Sequence, residues 1–190
     1  MGSSVSDIEL FAAVRKHDDR QAFDTLFRTH YSGLCRFACM YLKSLAEAEE
    51  VVSDVFLVLW KRRKEITITS NVRAYLFTCV KHESLASIER RRFVTEPITP
   101  HTVETAIAES SPIHELEFGE LAIKVNAVVD SLPPQCRQIF IMSRFDGLKY
   151  KEIAEILCLA EKTVENQLIK AIRIMRDSLH RERSFRIRSS

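Results

Sequence analysis

The sequence predicts an all-α protein, two small helical domains joined by a flexible linker. Three observations carry this. The 190 residues include only four glycines and five prolines, against many Leu, Ile, Ala, Glu, Lys and Arg, a composition that favours helix. Apolar residues recur at steps of three and four along most of the chain, and no strand-like alternation is longer than the stretch from Ile66 to Thr69. Finally, Pro97, Pro100 and Pro112 fall together where the charge changes: residues 97–120 hold five acids and no Lys or Arg, whereas residues 121–190 hold 13 Lys and Arg against eight acids. Prolines among Ser and Thr discourage regular structure. The predicted division is therefore a domain over 1–95, a linker over 96–112, a second domain over 113–180 and a basic tail over 181–190. Residues 1–96 are weakly basic, with 15 Lys and Arg against 13 acids. Both basic blocks suit phosphates and the acidic connector does not.

The first helix opens at Ser6 or Asp7, either of which can cap it, and breaks at His17, Asp18 and Asp19. A long amphipathic helix follows, with Ala22, Phe23, Leu26, Phe27, Tyr31, Leu34, Phe37, Ala38 and Tyr41 on its apolar face. Gly33 is tolerated inside it or marks a small irregularity. Lys43, Ser44 and Leu45 turn the chain. A third helix is expected from about Ala46 to Arg63, with Ala48, Val51, Val52, Val55, Phe56 and Leu59 inward. The β-branched run Ile66–Thr69 is a loop of low helix propensity. Asn71 caps a fourth helix, from Val72 to about Phe93, which buries Ala74, Phe77, Val80, Leu85 and Ile88 and ends in Arg90, Arg91 and Arg92. Such stripes can close a core by themselves. A fifth helix is expected after Pro112, reaching about Val129. Pro134 suits the first position of a sixth, over Gln135–Phe145, which ends at Asp146 and Gly147. The tail from His180 is expected to be frayed.

Between Leu148 and Arg176 two helical patterns meet at a short break. The first, Lys149–Leu157, buries Ile153, Ala154, Ile156 and Leu157. The break is Cys158, Leu159 and Ala160. The second starts near Glu161 and turns Val164, Leu168, Ala171, Ile172, Met175 and Leu179 inward. Its other face carries Lys162, Thr163, Glu165, Asn166, Gln167, Lys170 and Arg173. A short helix, a tight turn and a longer helix with a polar, cationic face form the helix-turn-helix pattern, whose second helix fits a DNA major groove. Asn and Gln can pair with adenine, and Lys and Arg with guanine or phosphate. Arg144, Lys149 and Lys151 can anchor phosphates beside it. A solvated helical hairpin has the same periodicity.

Other classes of function find little support. Six scattered histidines lack spaced partners for a metal, and four isolated glycines build no phosphate loop. No catalytic constellation is present, and neither enzyme activity, a cofactor nor a metal is expected. Cys35 and Cys39, one helical turn apart, fit a core better than a metal site. The five cysteines (with Cys79, Cys136 and Cys158) contain no CxxC and suit reduced, buried thiols in a cytoplasm. No apolar run approaches the roughly 20 residues of a membrane span, and the first residues lack a signal-peptide pattern.

The runs QAFDTLFRTHYSGLCRFACMYL, EAEEVVSDVFLVLWKRR and NVRAYLFTCVKHESLASIERRR, followed by LPPQCRQIFIMSRFDGLKYKEIAEIL and KTVENQLIKAIRIMR, resemble regions 2 and 4 of extracytoplasmic-function sigma factors. The resemblance covers about residues 20–93 and 113–178. It implies a factor that binds core RNA polymerase and directs it to promoter DNA, with an anti-sigma factor as inhibitory partner. It implies polymerase docking by the third helix, where Glu50, Ser53, Asp54, Leu57, Trp60 and Lys61 stand. Trp60 is either a contact there or part of the core. It implies capture of the melted minus-ten strand by the loop Ile66–Asn71 and the fourth helix. Candidates are Asn71, Arg73, Tyr75, Lys81, His82, Arg90 and Arg91, with Arg92; Tyr75 has a packing alternative and Phe77 reads as core. It implies that the helix from Glu161 reads the minus-thirty-five element. Departures from the family pattern are Ser53 for Gln, His82 for Asn, Thr78 for a basic residue, Cys158 for Gly and Ala160 for a capping Ser. The last two predict a functional but slightly less stable reader.

The pattern Lys149–Met175 is also similar to the output domains of response-regulator activators, which leaves a stand-alone helix-turn-helix regulator as the alternative. A helical adaptor without nucleic acid is a third reading. Region 2 motifs before region 4 motifs favour the sigma factor. The free chain is expected to be a monomer, cytoplasmic, with no membrane insertion.

Overall fold

The computed structural model describes residues 6–69, 71–95 and 127–188, with side-chain surroundings for 6–69, 71–92 and 127–178. All regular structure among the described residues is helical. The chain divides into two compact units, Met1–Ser111 and Pro112–Ser190. The expected linker over 96–112 and most of the fifth helix lie outside the described residues.

The first unit holds α1 (Asp7–His17), α2 (Arg20–Leu42), α3 (Leu45–Lys61) and α4 (Val72–Thr95). Each begins at a side chain that accepts a backbone N–H, the group a helix start otherwise leaves without a partner. Ser6 Oγ accepts from Glu9 N–H while Glu9 Oε2 accepts from Ser6 N–H at 2.8 Å, closing a capping box. Asp19 Oδ1 accepts from the amides of Gln21 and Ala22, Ser44 Oγ from Glu47, and Asn71 Oδ1 from Ala74. Asp18 and Lys43 close α1 and α2 in the left-handed region.

Helix α2 is the hub, packing on α1, α3 and α4. Leu26, Leu34 and Phe37 from α2 meet Val52, Phe56 and Leu59 from α3 and Leu76, Phe77 and Val80 from α4, all 2% exposed or less. Phe37 stands edge-on to Phe77, with ring centroids 5.0 Å apart. Gly33 is buried within an unbroken helix. Val55, Ala74, Leu85 and Ile88, expected in the core, are only half-buried, and α4 instead turns Val72, Leu76 and Ser84 inward. His30, unassigned by the sequence, is buried with Nε2 2.9 Å from Asp7 Oδ2.

In the second unit, helical residues 127–130 lead through a turn into α5 (Pro134–Arg144), α6 (Tyr150–Leu157) and α7 (Glu161–Arg188). Val128, Val129, Leu132, Ile139, Met142, Leu148, Ile153, Ile156, Val164, Leu168 and Ala171 form its core. Gly147 takes φ 64° between α5 and α6, a conformation open to glycine without a Cβ penalty. Three expectations are corrected here. Residues 181–188 continue α7 rather than fray. Ile172 is 42% exposed and Met175 half-buried; Leu179 lies beyond the described side chains. Cys158, expected as a buried thiol, is exposed in the turn before α7, whereas Cys35, Cys39 and Cys136 are buried.

Candidate nucleic-acid interface

The helix-turn-helix is built by α6, the turn Cys158–Ala160 and α7. Lys149 donates its backbone N–H to Glu152 Oε2 at 2.8 Å, which fixes the start of α6. Cys158 then adopts φ 56°, and Leu159 N–H donates back to Ala154 O at 2.9 Å. This reversal closes α6 as a glycine would, at the steric cost a Cβ brings in the left-handed region. Ala160 offers no side-chain oxygen to the first amides of α7. Glu161 places a negative charge there, which the helix dipole favours.

Val164, Leu168 and Ala171 are essentially fully buried, so the rotation of α7 about its axis is fixed. Lys162, Asn166, Lys170 and Arg173 consequently stand exposed, with Thr163 and Glu165 half-buried beside them. Lys162 Nζ lies 2.7 Å from Glu165 Oε2. Gln167 is the exception and a correction to its expected outward direction. Its Oε1 accepts from the Cys136 thiol at 2.7 Å and its Nε2 donates to Gln135 Oε1 at 3.1 Å. It ties α7 to α5. Ile169, 58% exposed, stands on the outer face and was not singled out from the sequence. Arg144, Lys149 and Lys151 are exposed around this helix pair.

On the first unit, α3 leaves Glu50, Ser53, Asp54 and Leu57 exposed, as expected, together with Val58 at 49%. Two adjacent exposed aliphatic side chains beside two acids form a mixed apolar and anionic surface. Trp60 stands behind it, half-buried. Its ring is 5.0 Å from Phe23 and carries the Arg63 guanidinium 4.3 Å above its centroid. The packing role of Trp60 is therefore realised. Arg63 also bonds Asp18 Oδ1 at 2.6 Å, and with Lys64 nearby it holds the Asp18 carboxyl below its ordinary pKa.

The α4 candidates do not form one line. Tyr75 and His82, seven residues apart, share a face. His82 is exposed; Tyr75 is half-buried and its hydroxyl is pushed up to about 12, first by burial and then by Cys79. Lys81 lies half-buried on a flank. Arg73 approaches buried His30, whose pKa is lowered first by burial, against the pull of Asp7, with Arg73 adding to the decrease. Asn71 is engaged as the helix cap. Arg90 pairs with Glu83 and Arg91 with Glu47, each on the solvent side, and Arg92 is exposed. Among the described residues no cluster of His, Cys, Asp and Glu could hold a metal, and no helix is long and apolar enough to cross a membrane.

A short helix, a tight turn and a longer helix with Lys162, Asn166, Lys170 and Arg173 exposed form the arrangement of DNA-binding helix-turn-helix proteins. Residues 26–94 match the family described as Sigma-70 region 2, and residues 123–175 match Sigma-70, region 4; together these cover more than half of the chain. The chain is 25% identical over 150 residues to the ferric citrate uptake sigma factor FecI of Escherichia coli, covering 79% of this chain and 86% of that protein. It is 27% identical over 155 residues to the ECF RNA polymerase sigma factor SigL of Mycobacterium tuberculosis, covering 81% and 86%. Its fold is similar to that of the sigma factor RpoE solved with the anti-sigma factor NepR from Bartonella quintana. The TM-score is 0.56 at 19% identity, covering 84% of this chain and 98% of that one. It is also similar to CnrH solved with the cytosolic domain of CnrY, with a TM-score of 0.55 at 18% identity, covering 92% and 97%. The chain belongs to the sigma-70 family, in its extracytoplasmic-function group, and is a promoter-directing sigma factor. Region 2 before region 4 disfavours the stand-alone regulator.

Proposed function

We propose a division of labour among named side chains for this sigma factor. The α3 surface of Glu50, Ser53, Asp54, Leu57 and Val58 docks on core RNA polymerase, with Trp60 holding that surface from behind. An aliphatic centre flanked by acids suits a partner surface that is apolar with a basic rim. The loop Ile66–Asn71 and α4 hold the opened minus-ten strand. Tyr75 and His82 offer stacking faces on one side of α4, and Lys81 and Arg90 to Arg92 offer cations, the combination that makes an unstacked base tolerable, while Arg73 stands on the His30 side. Lys162, Thr163, Glu165, Asn166, Lys170 and Arg173 read the minus-thirty-five element, and Gln167 positions the helix that carries them.

The observation that carries this reading is the exposed row Asn166, Lys170 and Arg173 on a helix whose rotation is locked by a buried opposite face. The protein works in the cytoplasm, as a monomer when free. An anti-sigma factor occupies the same surfaces until a signal releases them, a reading supported by the similarity to RpoE solved in complex with the anti-sigma factor NepR. The test is reconstitution: the purified chain with core polymerase on a pool of genomic promoters, followed by sequencing of transcript starts. Starts that share two spaced upstream motifs, and that require the protein, are expected. A folded protein that neither binds polymerase nor creates starts would overturn the reading.

A further inference from the structure

The outer face of α7 is not one surface but two strips. Thr163, Asn166, Lys170 and Arg173 follow each other at steps of three and four, and so do Lys162, Glu165, Ile169 and Ile172. The first strip carries an amide and two cations. The second carries one carboxylate, from Glu165, followed by two exposed aliphatic side chains. Resting on the proposed reading of the minus-thirty-five element by α7, we propose that Glu165 makes that reading cytosine-dependent. Its carboxylate would accept a hydrogen bond from the N4 amino group of one cytosine in the major groove.

The argument is electrostatic. A carboxylate carried between two phosphate backbones is repelled unless it meets a hydrogen-bond donor. In the major groove, guanine presents only acceptors and thymine an acceptor and a methyl group. Adenine presents a donor with an acceptor beside it. Cytosine alone presents a donor without an adjacent acceptor. A side chain that only accepts therefore selects cytosine and rejects guanine most strongly. In the free protein Glu165 is paired with Lys162 at 2.7 Å, and the two side chains are 43% and 73% exposed. An exposed pair of this kind holds its partners weakly. Lys162 can move to a phosphate or to a guanine in the next base pair while the carboxylate turns to the base, and its charge offsets the cost of bringing an acid into the groove. The rotation of α7, locked by the buried Val164, Leu168 and Ala171, places Glu165 half-buried on a flank of the helix, beside the exposed Lys162 and Ile169.

The test uses the full chain with core polymerase on promoters randomised through the minus-thirty-five region, with transcript starts sequenced. The wild type is expected to show one position where cytosine exceeds each other base by about tenfold. Glu165→Gln is expected to shift that position towards adenine, since an amide can donate and accept on the adenine edge. Lys162→Ala is expected to lower output while keeping the cytosine. A wild-type profile without a cytosine position, or the same profile in Glu165→Gln, overturns the inference alone. Absence of any start that depends on the protein would overturn the functional reading and this inference with it.

Discussion

The two units meet the same physical demand, the unpaired amides at helix starts, in opposite ways. In the first, Ser6, Asp19, Ser44 and Asn71 each supply a capping oxygen. In the second, α5 starts at Pro133 with no side-chain cap bond, α6 starts at Lys149 with only the return bond of its N–H to Glu152 Oε2, and α7 follows Ala160, which has no polar side-chain atom. The first unit also has a thick aromatic layer in Phe23, Phe27, Phe37, Phe56, Trp60 and Phe77, whereas among the described residues of the second the packing is mostly aliphatic, with one ring pair, Phe140 and Phe145. The difference teaches where each unit keeps its stability. One is held by local signals and a deep core. In the other, the described part of α7 buries Val164, Leu168 and Ala171 on one face and leaves the opposite face exposed.

The largest test of that contrast is Phe37→Ala. Phe37 is 1% exposed and contacts rings on both sides, so the loss is expected to be about 3–5 kcal/mol. Hydrogen exchange should quicken across α1 to α4 and stay unchanged in α5 to α7; faster exchange in both would break the separation. A smaller effect is expected from Asp19→Ala, which removes the acceptor for two amides and should cost about 1 kcal/mol, read by denaturant unfolding. In the second unit the comparison predicts the reverse sign. Ala160→Ser should add a cap and stabilise α7 by roughly 0.5–1 kcal/mol, with a higher midpoint for that unit alone. Cys158→Gly should relieve the left-handed strain by a similar amount, about 1 kcal/mol.

The smallest effect concerns pH. Burial holds the His30 pKa below its ordinary value of 6.5, with Asp7 opposing and Arg73 assisting. The unfolded chain therefore binds the proton more readily than the folded one. The contribution of neutral His30 is complete above pH 6.5 and is lost as pH falls through the lower folded value. Thermal unfolding of the first unit should decline on acidification, and His30→Gln should flatten that decline. An identical slope in the variant would remove His30 as its source.

Much of this architecture was legible because its punctuation is chemical. Ser6, Asp19 and Asn71 sit at real helix starts, Pro134 opens α5, and Gly147 takes the positive φ its place suggests. The helix-turn-helix break fell at Cys158–Ala160 because a run of α6 apolar positions ends there. What was missed came from treating polarity as direction. Gln167 is three residues after Val164 and four before Ala171, which places it on the inner flank despite its amide. His30 lies four residues from both Leu26 and Leu34, a stripe position that the ring's polarity concealed. Ile172 fails in the opposite sense. Its spacing is that of a core residue, but it is 42% exposed among the described residues, and no sequence pattern states how far a neighbouring helix reaches. The α4 candidates shared a helix but not a face, since Arg73 turns towards His30 while Tyr75 and His82 look away.

The hydrogen bonds from Gln167 to Gln135 and Cys136 also bear on how such a gene can diverge after duplication. Asn166, Lys170 and Arg173 touch solvent, so each can be exchanged singly without disturbing the interior. A daughter copy can drift towards new target sequences through those positions in small steps. Position 167 has no such freedom. A change there removes the partner of the Gln135 amide and of the buried Cys136 thiol on the neighbouring helix, so it is expected to be exchanged together with positions 135 and 136. The same short segment thus contains a variable alphabet and a fixed hinge pin, and lineages descending from this chain should differ in the first while sharing the second.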